Sequence, residues 1–368
     1  MAAMRLVRVG FLTAVMVCAG CSTYQQFDSV GHLRGQFAQQ VGAERAARIV
    51  VPFELDEATR AALPPRRLPS PLRRLNQVME LIFEQLDLRY ELQPTRTAVE
   101  TFTARRGNCL SFVNLFVGLA RSNELSPFYV EVTDYQKWSH RAGMVISQGH
   151  IVAGMYLDGE LKTYDFLPYR PKAYRAFHPI DDLHATAHYY NNLGAEALLA
   201  GDAARARELI ETAARIAPEF PKALNNLGVV QARAGDLAAA EKSYRQALAV
   251  EPENEIVMTN MARVLQQSGR GAEATAMLAK VEAANTSNPY FFVYQGDMAL
   301  AQGDRQKALD YMAKALRLDS ESADVHVGLV RVYLDLGDTE KARHHLARAL
   351  ALDATNQEAL RFATLLGK

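Results

Sequence analysis

The chain has 368 residues, with 41 Lys and Arg against 41 Asp and Glu, 9 His and 3 Cys. That length holds two or three domains, each able to bury a core. Zero formal charge and the lack of any long basic run exclude nucleic acid as an expected partner, because binding phosphates takes a basic excess.

Residues 1–20 hold Arg5 and Arg8, then an apolar stretch from Val9 to Val17, then small residues. The stretch is short for a bilayer span and has the layout of a secretion signal. Cys18-Ala19-Gly20-Cys21 resembles a bacterial lipoprotein box, which implies cleavage before Cys21 and lipid on its sulfur. An ordinary signal peptide with a chance cysteine is the other reading. The expected location is the bacterial cell envelope, as an outer-membrane lipoprotein facing the periplasm and held to the membrane by its lipid. In such an oxidising compartment cysteines usually pair. With Cys21 lipidated, Cys109 is left alone, either buried and inert or kept for its reactivity.

Residues 21–66 read as a tether and lead-in, polar at first and then broken by Pro52, Pro64 and Pro65. A domain is expected over 67–182. Leu72, Leu75, Val78, Leu81, Ile82 and Leu86 recur at helical spacing and predict a helix from Pro71 to Leu88. A second helix is expected from Asn108 to about Arg121. Strands are expected at Pro127–Val132, Gly143–Ser147, His150–Leu157 and Leu161–Phe166. Helices followed by antiparallel strands predict an α+β domain.

The C-terminal half repeats. Gly201-Asp202, Gly235-Asp236, Gly269-Arg270, Gly303-Asp304 and Gly337-Asp338 recur every 34 residues, and Ala206, Ala240, Ala274, Ala308 and Ala342 hold one small position. This resembles the tetratricopeptide repeat, in five copies over 187–356, with a capping helix in 357–368. The resemblance implies an all-α solenoid whose concave surface binds a protein partner or peptide.

Asn108 is a good N-cap, which puts Cys109 at the positive end of a helix dipole with Arg105 and Arg106 upstream. Those surroundings favour the nucleophilic thiolate, and the free amides there can hold an oxyanion. Gly107 leaves room for a tight bend and a substrate. A cysteine nucleophile needs a base, and the base an orienting group. His184, His188, His326, His344 and His345 fall in or beside the repeats, His32 in the tether and His178 after the strands; His140 and His150 remain. Asp158-Gly159 is a two-residue hairpin signal. In that register facing residues sum to 317, and Asp165 becomes the diagonal neighbour of His150 on the same sheet face. A solvated Asp on an edge strand is the alternative.

Thr97 to Phe102, Arg106-Gly107-Asn108-Cys109-Leu110-Ser111, Gly149-His150-Ile151-Val152 and Tyr164-Asp165-Phe166 together resemble bacterial members of the transglutaminase-like, papain-related cysteine enzymes. The resemblance covers roughly 70–170. It implies a transglutaminase-like cysteine-protease core with a Cys109, His150, Asp165 triad that acts on a protein or peptide substrate through a thioester. Leu110 stands where animal transglutaminases have Trp, which favours hydrolysis over cross-linking. Asn108, Gly107 and Trp138 are candidates for the substrate cleft. No His, Cys and Asp cluster has ligand spacing, so neither a metal nor another cofactor is expected. The alternatives are a non-catalytic periplasmic scaffold that works through its repeats, and a transglutaminase-type acyltransferase.

Overall fold

The computed structural model describes residues 30–63, 68–141, 144–166, 174, 176–284 and 286–367, with the backbone alone described between 134 and 149. Cys21 and the expected signal segment lie outside the described residues. The chain divides into two compact units. One comprises Met1–Gln136 with Gly149–Pro252, the other Lys137–Gln148 with Glu253–Lys368.

The first unit opens with α1 (Val30–Val41), α2 (Ala43–Ala46), α3 (Glu57–Ala61) and α4 (Pro71–Glu80). Residues 30–41 lie in the segment expected as a tether, yet they form a helix with a docked face. Leu33 and Phe37, one turn apart, are both fully buried. Pro71 starts α4 at a position where its missing N–H costs nothing. The helix expected to reach Leu88 widens instead into a π turn, Leu81–Gln85, and ends there.

Next come β1 (Arg89–Tyr90), α5 (Ala98–Ala104), β2 (Arg106–Gly107) and α6 (Cys109–Ser122). α6 is the core helix. Every residue from Leu110 to Ala120 is buried, so it has no solvent face to keep polar. A Cβ at Gly118 would lie 2.5 Å from the Phe53 carbonyl oxygen, so only glycine lets the 51–55 segment cross the helix that closely.

A four-stranded sheet follows, in the order β5-β4-β3-β6. Its strands are β3 (Phe128–Arg141), β4 (Met144–Leu157), β5 (Glu160–Tyr164) and β6 (Phe177–Ile180). Two runs expected as separate strands, 143–147 and 150–157, are joined from Met144 onward in the single strand β4, with Gly143 outside the described residues, and β3 continues well beyond Val132. Polar residues read as a break do not stop a ladder whose bonds are made by the backbone.

The first two repeats belong to this unit: α7 (Asp182–Leu199), α8 (Ala203–Ile216), α9 (Pro221–Arg233) and α10 (Leu237–Val250). Leu183, Leu209, Ile216 and Phe220 lie in the same buried cluster as Phe116 and Tyr164, so one core runs from the α+β domain into the helical hairpins. Polar links cross the same contact. Arg121 grips Asp182 with two bonds of 2.7 and 2.9 Å, and the Val50 N–H donates to Tyr190 Oη at 2.8 Å. The Glu131 carboxylate of β3 receives Lys222 Nζ from α9, with His178 Nε2 at 3.4 Å and His188 Nε2 at 3.7 Å.

The second unit holds α11 (Glu255–Gln267), α12 (Gly271–Ala283), α13 (Pro289–Ala301), α14 (Arg305–Leu318), α15 (Ala323–Asp335), α16 (Thr339–Leu352) and α17 (Gln357–Leu365). The recurring Gly-Asp pair has two jobs. Each glycine takes the left-handed turn, with φ between 74° and 85°. Asp202, Asp236, Asp304 and Asp338 each cap the next helix by accepting a backbone N–H. Arg270 stands in the third copy, and its helix has no side-chain cap. The result is an α+β domain followed by stacked helical hairpins.

Candidate active site

The frame around Cys109 is built from local polar bonds. Asn108 caps α6 by accepting from the Ser111 N–H at 3.0 Å and the Ser111 hydroxyl at 2.9 Å. Its amide Nδ2 donates to Thr95 Oγ1 at 2.7 Å and to the Leu92 carbonyl at 3.3 Å. The Arg96 N–H closes the ring by donating to Ser111 Oγ at 2.8 Å. A Cβ on Gly107 would fall 2.6 Å from Ser111 Cβ. Gly107 and Asn108, expected at the substrate cleft, are therefore both buried and hold the frame. The room made by the missing side chain is filled by Ser111. Cys109 itself is a free cysteine of intermediate exposure.

Arg105 and Arg106 point away from the role expected of them. Arg105 is exposed and ends α5 in the left-handed conformation. Arg106 Nε lies 3.5 Å from Glu91 Oε2, where Arg96 also binds. A carboxylate forms charged hydrogen bonds with a guanidinium better than a cysteine sulfur does.

The candidate base, His150, lies on the hairpin. Asp158 and Gly159 both have positive φ, as a two-residue turn requires. Ala153 pairs with Tyr164 and Leu157 with Glu160, so facing residues sum to 317. His150 Nε2 lies 2.9 Å from Asp165 Oδ1. Alternation puts Ile151, Ala153 and Met155 in the α6 core, while Val152 packs in a separate cluster with Val130 and Phe128. His150 shares the Val152 side and is 1% exposed.

Burial works against a charge on His150. Hydrogen bonds to Asp165 and Cys109, and the charges of both, outweigh it and hold the ring up at about 9. Because Asp165 takes Nε2, Nδ1 is the ring nitrogen left for the hydrogen bond with Cys109. Asp165 has a further partner in the Tyr174 hydroxyl, which donates to Oδ2. The Tyr174 ring also packs on the imidazole, with centroids 5.5 Å apart.

Cys109, His150 and Asp165 thus come together at one place. The Trp138 and His140 side chains lie outside the described residues. Among the described residues no group of His, Cys, Asp and Glu could hold a metal ion. Reasoning from sequence missed Tyr174, Thr95 and Glu196. Tyr174 has no periodic signal, and Thr95 meets Glu196 across 101 residues.

A family model of the transglutaminase-like superfamily matches residues 64–171, the stretch that carries all three residues. Tetratricopeptide repeat models match 191–254 and 231–292 with 299–366. No curated protein is a significant match to the chain. Solved structures similar to it include TTC0263, a thermophilic TPR protein of Thermus thermophilus, with TM-score 0.45 and 22% identity over 50% of this chain and 100% of that one. Pseudomonas aeruginosa pilF gives TM-score 0.39 and 24% identity over 49% and 84%. YrrB, a TPR protein with an unusual peptide-binding site, gives 0.32 and 20% over 48% and 92%. The chain joins a transglutaminase-like superfamily domain, over 64–171, to tetratricopeptide repeats that run from 191 to 366.

Proposed function

We propose that the chain is a thiol hydrolase that cleaves an amide or ester through a Cys109, His150, Asp165 triad. One observation carries this reading. A histidine 1% exposed is held at about 9 by a carboxylate on one side and the Cys109 thiol on the other. At neutral pH the ring is therefore an imidazolium, the kind of neighbour that activates a cysteine nucleophile.

The chemistry follows from that pair. Cys109 Sγ bonds to the substrate carbonyl carbon, and the carbonyl electrons move to oxygen. Amides at the start of α6 accept that charge. As the C–N or C–O bond breaks, the imidazolium gives its proton to the leaving group. The neutral ring then takes a proton from water, which attacks the thioester and releases a carboxylic acid. Asp165 keeps the ring oriented and stabilises its charged form.

The repeats supply a surface for a protein substrate or partner, since stacked helical hairpins of this family suit extended segments. Cleavage before Cys21 and lipid on its sulfur would place the enzyme on the cell envelope facing the periplasm.

The test is the rate of Cys109 alkylation by iodoacetamide at pH 6, in the wild type and in His150→Ala. The wild type is expected to react at least about tenfold faster, because an imidazolium neighbour keeps the nucleophilic form present. Equal rates would sink the triad. An activated ester should leave an acyl adduct on the intact wild type and none on Cys109→Ala.

A further inference from the structure

The first repeat reaches the frame of the candidate nucleophile. Glu196 lies on α7, and its Oε1 accepts two bonds from Thr95, one from the N–H and one from the hydroxyl, both at 2.8 Å. Thr95 is buried, at 3% exposed. A hydroxyl has a single proton, and here it goes to Glu196. Thr95 Oγ1 can then only accept from Asn108 Nδ2. That choice fixes the Asn108 amide, turning Oδ1 toward the Ser111 N–H as the cap of α6. A proton-by-proton chain therefore runs from a repeat helix to the helix end beside Cys109.

We propose that Glu196 is a positioning residue for Cys109, so that the first tetratricopeptide repeat forms part of the active-site frame. Its bearing on catalysis rests on the hydrolase reading; the mechanical link does not. Without Glu196 the Thr95 hydroxyl is released to turn its proton elsewhere, toward Asn108 included, and Asn108 Nδ2 keeps only the longer 3.3 Å bond to the Leu92 carbonyl as an acceptor of fixed direction. The amide is then held less firmly, and the cap of α6 weakens. The α7 contact also gives the repeats a physical route to the nucleophile.

The test uses the purified full chain as wild type, Glu196→Ala, Glu196→Gln and Thr95→Val. Amide hydrogen exchange is read at Ser111 relative to Phe116, which is buried mid-helix and reports general loosening. Glu196→Ala is expected to speed Ser111 exchange about tenfold against Phe116, the size of a lost side-chain cap. Glu196→Gln keeps an acceptor oxygen and should behave as wild type. Thr95→Val cuts the chain at its middle and should match Glu196→Ala, which keeps the question open if the alanine variant folds poorly. The second readout is Cys109 alkylation at pH 6, expected to fall severalfold in Glu196→Ala and Thr95→Val and to be rescued in Glu196→Gln. Unchanged relative exchange in both Glu196→Ala and Thr95→Val overturns the link. So does a Glu196→Gln variant as impaired as the alanine. If wild-type Cys109 is inert to iodoacetamide, the hydrolase reading fails, and the exchange ratio still decides the link.

Discussion

His150 and Asp165 meet through a 2.9 Å contact between Nε2 and Oδ1, made by a ring that is 1% exposed. They are diagonal neighbours across a tight hairpin, so the contact is set by the turn and by strand alternation. A carboxylate that close fixes the ring nitrogen it touches and leaves the other for sulfur.

Removing the carboxylate tests its role most directly. Asp165→Ala is expected to slow acyl-enzyme formation by about 100-fold or more, the range for losing support of a positioned acid–base group. Rapid-quench mass spectrometry of an activated ester reads that rate. Tyr174→Phe keeps the ring on the imidazole but deletes the donor to Asp165. It should cost about 1 kcal/mol of stability in urea unfolding and slow the reaction less than Asp165→Ala.

Stability should depend on alkaline pH through His150. Its ordinary value of 6.5 is raised to about 9 in the folded chain. The stabilisation is therefore fully present below 6.5 and is lost as pH rises through about 9. A gap of that size corresponds to about 3 kcal/mol. Urea midpoints of wild type and His150→Gln should differ in slope between pH 6.5 and 9, with the variant flatter. Parallel curves would mean that the ring is not held charged.

Glu131 governs the acid side. Burial opposes its charge, but His188, His178 and Lys222 hold it far below the usual carboxylate range. Its contribution is present above about 4.5, the ordinary glutamate range, and is lost as pH falls below it. Lys222→Met removes a charged hydrogen bond between α9 and β3 and is expected to cost about 1.5–3 kcal/mol at pH 7. Glu131→Gln should remove the corresponding part of the acid limb. Thermal melts from pH 3 to 7 measure both.

Gly118→Ala should destabilise by roughly 1–3 kcal/mol, the cost of forcing a methyl into a packed core. The new carbon would press on the Phe53 carbonyl, which is backbone and cannot rotate away. A urea midpoint equal to wild type would show that the 51–55 segment gives way freely.

Much of the fold was readable where neighbours in sequence are neighbours in space. Asn108 capping α6, Asp158-Gly159 setting a register and the Gly-Asp turns every 34 residues all act within four residues of themselves. The meeting of His150 with Asp165 follows from that hairpin, because strand alternation converts a turn into a face. The length of β4 was misread because backbone pairing ignores the polarity of residues such as Ser147 and Gln148.

Other features depended on partners far along the chain. Whether 30–41 is a tether or a docked helix turned on where Leu33 and Phe37 could be buried, and the residues that bury them are not adjacent in sequence. Arg106 went to Glu91, although its own neighbourhood suggested the thiol. Tyr174 on Asp165, Lys222 on Glu131 and Glu196 on Thr95 are pairings that no local pattern announces. Periodicity, caps and turns are short-range physics, so the residue order alone could specify helices, hairpin register and repeat spacing. Burial and long-range hydrogen bonds exist only once the elements pack, so only the folded chain could decide which polar groups meet and that Glu196 of the first repeat reaches Thr95.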